Sequence, residues 1–210
     1  LSNAFSFEKA ACIHITFITA WHMLVGKAKV KAGEKILIHA AGSGVSVACI
    51  QIAKFLGLSV FVTSSSEEKL FKAKSLGVDR FINTAKENFT ETVRNLTSKQ
   101  GVDVVIDHVG APTFMDSIRC LRRGGRLVSC GATAGSQIEL DWKHVFFKNI
   151  ALFGSTFGTC ADFAQVMKHI EAGHFTPVID TVVSIEEIHR AHQLIEDRKV
   201  FGKVIVRMTT

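Results

Sequence analysis

A chain of 210 residues with 47% hydrophobic and 21% charged residues suits one ordinary domain, or a domain plus a fragment, and carries enough apolar material for a core. No apolar run reaches the roughly 18 residues of a membrane-spanning helix, and the N-terminus lacks a basic stretch, an apolar run and a small-residue cleavage site, so no membrane partner is expected and the cytoplasm is the expected compartment. The formal net charge of +6 suits an anionic ligand, but the basic residues are dispersed, with short clusters at 27–31 and at Arg122 and Arg123 instead of the dense block of a nucleic-acid-binding arm.

Residues 5–27 read as a helix, with Ser6 as a candidate N-cap and Trp21, Met23 and Leu24 as packing residues. After a turn at Gly33, the apolar run 36–40 reads as a buried strand. Gly42, Ser43 and Gly44 break it. Val45, Cys49, Ile52, Ala53 and Leu56 then recur at helical spacing, and Gly57 closes that helix. The alternation continues. Residues 60–63 form a strand, and Ser66 caps a helix with Glu67 and Glu68 in its first turn, ending at Leu76 and Gly77. Residues 80–82 form a strand, 89–96 a helix, 102–107 a strongly apolar strand and 113–121 a helix ended by Gly124 and Gly125. Strands at 126–130 and 150–154 and a helix at 163–172 follow, and then Val182 and Val183, a helix over 185–195 and a last strand over 203–206.

Apolar strands alternating with helices predict an α/β, doubly wound, six-stranded parallel sheet (a Rossmann fold) over residues 31–175, with helices on both faces. Residues 1–30 form a helical lead-in and 176–210 a tail. The strand at 203–206 has no obvious partner in the main sheet, and a second domain is the expected one.

The first crossover carries the chemistry. A glycine-bearing turn between a first strand and a helix lets a diphosphate approach the backbone, where the free N–H groups and the helix dipole attract it. Gly42 and Gly44 fit the first two positions of a Gly-x-Gly-x-x-Gly pattern, and Val47 occupies the third. No Gly-Lys-Ser/Thr of an NTPase loop is present, and the second strand lacks the terminal acidic residue of a methyltransferase.

An acidic residue about 20 positions beyond the glycines would bind the ribose of NAD. That strand tip is Thr63, 19 positions after Gly44, followed by Ser64, Ser65 and Ser66, with Lys69 one turn into the next helix. Hydroxyls and an ammonium suit a 2′-phosphate, so NADP(H) is favoured and NAD(H) stands second. Against this stands the reading of Ser66 as a helix cap and Lys69 as a partner of Glu68.

The run Gly33-Glu34-Lys35-Ile36-Leu37-Ile38-His39-Ala40-Ala41-Gly42-Ser43-Gly44-Val45, with Ile50-Gln51-Ile52-Ala53-Lys54, resembles the medium-chain dehydrogenase/reductase superfamily. The branch it looks most like is that of the quinone oxidoreductases and zinc-type alcohol dehydrogenases. Ser66-Glu67-Glu68-Lys69, Leu76-Gly77-Val78-Asp79, Gly101-Val102-Asp103-Val104-Val105-Ile106-Asp107-His108-Val109-Gly110 and Gly202-Lys203-Val204 agree with it, across nearly the whole chain. The resemblance implies an NAD(P)-dependent oxidoreductase moving hydride to or from a carbonyl, enone or quinone. It implies that Ser43, Gly44, Val45 and Ser46 hold the pyrophosphate. Ser65 and Lys69 would lie near the 2′-phosphate, Val109, Gly110 and Gly131 would line the nicotinamide side, and Lys203 would close over the cofactor.

Such proteins also carry a preceding β-rich catalytic domain, which this chain lacks. It is therefore expected to be the cofactor half of a longer protein, with the tail packing on the missing domain and the substrate bound only in the full-length protein. The family also pairs through the sheet edge, here 150–155, which implies a homodimer. Ser46 stands where glycine is usual, free to donate to phosphate or to crowd the loop, and Thr84 stands where NADP-using members often carry tyrosine.

Five widely spaced cysteines without a CxxC pair read as free thiols, and no zinc is expected. His189 and His192 read as solvated, and His108 as a candidate proton donor at the cofactor edge. No catalytic residue stands out. The alternative is a module that binds NADP(H) or nucleic acid without chemistry.

Overall fold

Ile36, Leu37 and Ile38 are all wholly buried, yet they face opposite ways. Ile36 and Ile38 enter one apolar cluster and Leu37 another. Val60 and Val62 oppose Phe61 in the same manner, Val104 and Ile106 oppose Val105, and Val128 opposes Leu127. Strands that are apolar at every step require cover on both faces of their sheet.

The computed structural model describes residues 5–208. Six strands form one parallel sheet: β1 (Lys35–Ile38), β2 (Ser59–Ser64), β3 (Arg80–Asn83), β4 (Val102–Ile106), β5 (Leu121–Ser129) and β6 (Ala151–Gly154). Their order is β3-β2-β1-β4-β5-β6. Helices α1 (Phe7–Trp21), α2 (Gly44–Phe55), α3 (Glu67–Ala73) and α7 (Cys160–Glu171) bury residues in the first cluster. Helices α4 (Phe89–Leu96), α5 (Phe114–Cys120) and α6 (Trp142–Lys148) supply the second. The expected doubly wound α/β sheet is therefore present. The strand order reverses between β1 and β4, and in such sheets a crevice opens at the carboxyl ends of those two strands.

Three expectations change. Helix α5 does not run into a glycine-ended loop: the chain passes directly into β5 at Leu121, and Gly124 and Gly125 lie inside that strand. The pairing with β4 jumps from Val102↔Leu121 to Val104↔Arg126, so these glycines absorb a bulge. Helix α6 was not foreseen. Asp141 caps it by accepting from the Lys143 N–H, but its Trp142, Phe146 and Phe147 are exposed, so the residues lack the one-sided spacing that marks a helix.

The third change concerns the tail. Strand β8 (Lys203–Arg207) is not without a partner: it pairs in parallel with β7 (Ile179–Ser184), across α8 (Ile188–Glu196), as a separate two-stranded sheet. Both strands contact α1, so within this chain the tail rests on the lead-in helix. That lead-in belongs to the main core through Ile13, Phe17, Ala20, Met23 and Leu24. Ser6 caps α1 as expected, and the helix widens into a π-type turn over His22–Lys27.

Gly101 shows how tightly the bulge is seated. Its φ is +89°, and a Cβ there would lie 2.4 Å from the Cys120 carbonyl oxygen. Gly101→Ala is expected to lower stability by about 2–3 kcal/mol, from backbone strain and displacement of β5, in urea denaturation.

Candidate functional site at the sheet switch point

The carboxyl ends of β1, β2 and β4, the first turn of α2 and the returning tail enclose a cavity of about 970 Å³. Gly42, Ser43, Gly44 and Val45 form one wall. Ser43 is the N-cap of α2, but its side chain makes no capping bond. Its N–H donates to Ala40 O and its carbonyl accepts from Val47 N–H, while the N–H groups of Val45 and Ser46 find no acceptor among the described residues. Unsatisfied N–H groups at the start of a twelve-residue helix favour an anion.

The two glycines answer to two lysines. A Cβ on Gly42 would lie 2.7 Å from Lys69 Cδ and 3.1 Å from Val200 O. One on Gly44 would lie 2.9 Å from Lys203 Cδ and 3.1 Å from Thr16 Cγ2. Both lysine stems thus cross the loop where side chains are missing, one from α3 and one from β8. The tail is held there by Gly202 N–H, which donates to Gly42 O at 2.9 Å.

Lys69 is not a partner of Glu68. Glu68 pairs with Lys72 at 2.7 Å, and Glu67 pairs with Lys86. Burial holds the Lys69 ammonium below the usual lysine range, against the opposing pull of Asp180 and Glu68. Ser64, Ser65, Ser66, Thr84 and Arg198 share its end of the cavity. Among the described residues none of Lys69, Arg198 and Lys203 forms an ion pair, although Asp180 and Glu68 pull on Lys69 from a distance and Glu87 also lines the cavity. Arg198 had escaped sequence reasoning because only the return of the tail brings it here.

Val109 lines the opposite side together with His108, Thr113 and Thr133. Gly110 lies just behind this wall with φ +96°, where a Cβ would lie 2.3 Å from Gly135 O. Gly131 lies outside the lining, and the nearest atom to a Cβ there would be His108 O at 3.8 Å.

Two histidines build the floor. His39 is fully buried. The Ser117 hydroxyl donates to Asp107 Oδ2 at 2.7 Å, which leaves Ser117 Oγ to accept from His39 Nε2–H at 2.8 Å. His39 Nδ1 then accepts from the Thr63 hydroxyl, also at 2.8 Å. This donor order assigns His39 as a neutral ring protonated on Nε2. Burial lowers its pKa to about 4, outweighing the nearby Asp107. Asp107 also accepts from Val109 N–H, Gly110 N–H and the Thr113 hydroxyl.

Ser46 departs from both of its expected roles. It is wholly buried, and its hydroxyl donates to His39 O at 2.7 Å and accepts from His108 Nε2–H at 2.8 Å. The side chain turns inward, away from any phosphate. His108 is correspondingly engaged, and burial lowers its pKa. Its ring nitrogen toward Ser46 serves the fold, so the geometry gives no support to a proton donor there.

A doubly wound domain with an anion-friendly helix start at its switch point defines a nucleotide-binding class of fold. The chain belongs to the zinc-binding dehydrogenase family, whose model matches residues 44–172. Quinone oxidoreductase from Sus scrofa is 30% identical over 211 residues, covering 98% of this chain and 64% of that protein. Acryloyl-coenzyme A reductase from Sulfurisphaera tokodaii is 34% identical over 179 residues, 85% of this chain and 52% of that protein. The crystal structure of an NAD-dependent alcohol dehydrogenase superposes with a TM-score of 0.92 at 41% identity, covering 98% of this chain and 60% of that one. That of a 2-octenoyl-CoA carboxylase reductase in complex with NADP and 2-octenoyl-CoA does so with 0.89 at 28%, covering 96% and 50%. The chain thus spans less than two thirds of each of these relatives. Among the described residues no cluster of three or more His, Cys, Asp or Glu could hold a metal ion. No helix among them is long and apolar enough to cross a membrane.

The two buried histidines set a pH dependence. Both are held below the ordinary value of 6.5, so the unfolded chain binds more protons than the folded one as the pH falls. Their contribution to stability is complete above about 6.5 and declines as the pH drops toward 4. Denaturant unfolding at pH 7 and pH 5 is expected to show lower stability at pH 5, with a shallower slope in His39→Gln.

Proposed function

We propose that this chain binds a nicotinamide dinucleotide in the switch-point cavity, and that the protein to which it belongs is an NAD(P)H-dependent oxidoreductase acting on a carbonyl, enone or quinone. The observation that carries the reading is the glycine pair under two lysine stems, beside helix N–H groups without acceptors. Val45 and Ser46 would hold the pyrophosphate through their backbone N–H groups, with Ser43 and Gly44 lining its approach, since the Ser43 N–H is already given to Ala40 O. Ser46 would contribute only its backbone, since its side chain supports the floor. Lys203 would close over the diphosphate from the tail side. When bound, the dinucleotide supplies or accepts the hydride.

Ser65 and Lys69, joined by Arg198, would receive a 2′-phosphate, and NADP(H) is favoured over NAD(H). Two cations outside any ion pair among the described residues and the serine hydroxyls support this. The NADP bound to the carboxylase reductase neighbour is consistent with it, and the NAD-dependent alcohol dehydrogenase neighbour keeps NAD(H) as second choice. Val109 would face the nicotinamide, with Gly110 and Gly131 shaping the backbone behind and beside it. The identity of the substrate would rest with the rest of the protein. We place the compartment in the cytoplasm, in keeping with the absence of a membrane-crossing helix among the described residues.

We also place a homodimer contact at the edge formed by β6. Among the described residues that strand pairs only with β5, and the preceding α6 exposes Trp142, Phe146 and Phe147. Light scattering of the chain is expected to give twice the monomer mass, and a monomer at all concentrations would overturn this contact.

Calorimetry with NADPH and NADH tests the reading. NADPH is expected to bind about ten-fold more tightly, roughly 1.4 kcal/mol. Gly44→Val is expected to abolish binding of both, and Lys69→Ala to erase the preference while sparing NADH. Equal or tighter NADH binding overturns the NADP preference, and no binding of either overturns the dinucleotide site.

A further inference from the structure

Helix α7 ends in a way that brings two histidines together. Gly173 adopts φ +77°. Its N–H donates to Ile170 O at 3.0 Å, and His174 N–H donates to His169 O at 2.9 Å. These two bonds make a Schellman cap, which places the side chain just past the glycine against the one five residues earlier. An apolar pair commonly fills those positions. Here they are His174 and His169, whose Nδ1 atoms share a hydrogen bond at 3.1 Å, and an ion binding both nitrogens takes the place of that proton.

Two bonds from one ion to imidazole nitrogens measure about 2.0–2.1 Å each, and an angle between about 90° and 110° sets the nitrogens about 2.9–3.4 Å apart. The observed separation falls inside that range. His169 is fixed by neighbours: Trp21 at 5.2 Å, Phe55 at 4.7 Å and Phe175 at 5.3 Å between ring centroids. Phe55 also contacts the His174 ring at 4.7 Å. The two nitrogens are thus close before any ion arrives, with the ring planes inclined by 44°, and the carbonyl end of α7 adds a favourable partial negative charge. Burial and the neighbouring His174 hold His169 below the ordinary histidine range. Lys168 is the adjacent cation that opposes binding.

We propose that His169 and His174 form a two-imidazole site for a divalent transition-metal ion of the kind that prefers nitrogen ligands, such as Cu²⁺, Ni²⁺ or Zn²⁺. Among the described residues no third side chain completes the set, so water fills the remaining positions and the ion exchanges readily. The site lies on the α1–α7 side of the sheet and is separate from the switch-point cavity, whose lining includes neither histidine.

Trp21 supplies the readout, because a paramagnetic ion next to His169 quenches its emission. The test is a Cu²⁺ titration of untagged protein at pH 7.5, in a Trp142→Phe background that removes the exposed indole. Saturable quenching is expected, weakened about ten-fold or more in His174→Ala, equally in His169→Gln, and unchanged when His189 and His192 are both replaced by alanine. Calorimetry with Zn²⁺ is expected to show the same dependence on His174. Unaltered quenching in His174→Ala, or loss of quenching in the His189 and His192 double variant, overturns the proposal. His174 is exposed, so its removal leaves the fold intact.

Discussion

One chain of buried hydrogen bonds fixes the ends of the strands that meet at the switch point. It runs from Thr63 on β2 through His39 beyond β1 to Ser117 on α5 and on to Asp107 beyond β4. Asp107 in turn fixes the loop to α5 through Val109, Gly110 and Thr113. A branch passes from His39 O through Ser46 to His108 and ties α2 into the same floor. Every member is partnered, which is the condition under which a buried polar network strengthens a fold instead of weakening it. The cavity above it is shaped by those attachments.

The floor and the rim divide the polar work. Polar groups below the cavity satisfy one another, so their hydrogen-bonding capacity is spent on structure. Groups above it are left open: the N–H groups at the start of α2, Lys69, Arg198 and Lys203. The glycines lie between the two layers. Their missing side chains let two lysine stems pass over the backbone and bring cationic heads near the helix start. An anion bound there would meet both a helix dipole and two ammonium groups, a combination that neither element offers alone.

The tail is what makes the rim. The bond from Gly202 N–H to Gly42 O brings β8 alongside the loop at Gly42, Ser43 and Gly44 and carries Lys203, Val200 and Arg198 with it. At Gly202 the φ is +97°, and a Cβ would lie 2.4 Å from Val178 O, so this crossing requires glycine. The small parallel sheet of β7 and β8 holds the returning segment in register with α1 beneath it. The cap of α7, on the same side of the sheet, uses a glycine in the same left-handed way to set two histidines side by side.

Sequence alone determined the doubly wound sheet, because strands apolar at every step and helices of regular spacing are local patterns. It also determined the loop at Gly42, Ser43 and Gly44, whose glycines sit at a strand-to-helix junction. The helix α4 spans the same residues 89–96 that the sequence indicated, and the structure shows Asn88 capping it. Only the tertiary structure decided what depends on distant partners. Ser46 turns inward because His39 and His108 wait there, 7 and 62 residues away in sequence. Lys69 is free because Glu68 prefers Lys72, and Arg198 joins the rim because β8 finds β7. Periodicity records which face a residue buries. It carries no information about which side chain, folded in from elsewhere, will meet it, and the chemistry of this site is made of such meetings.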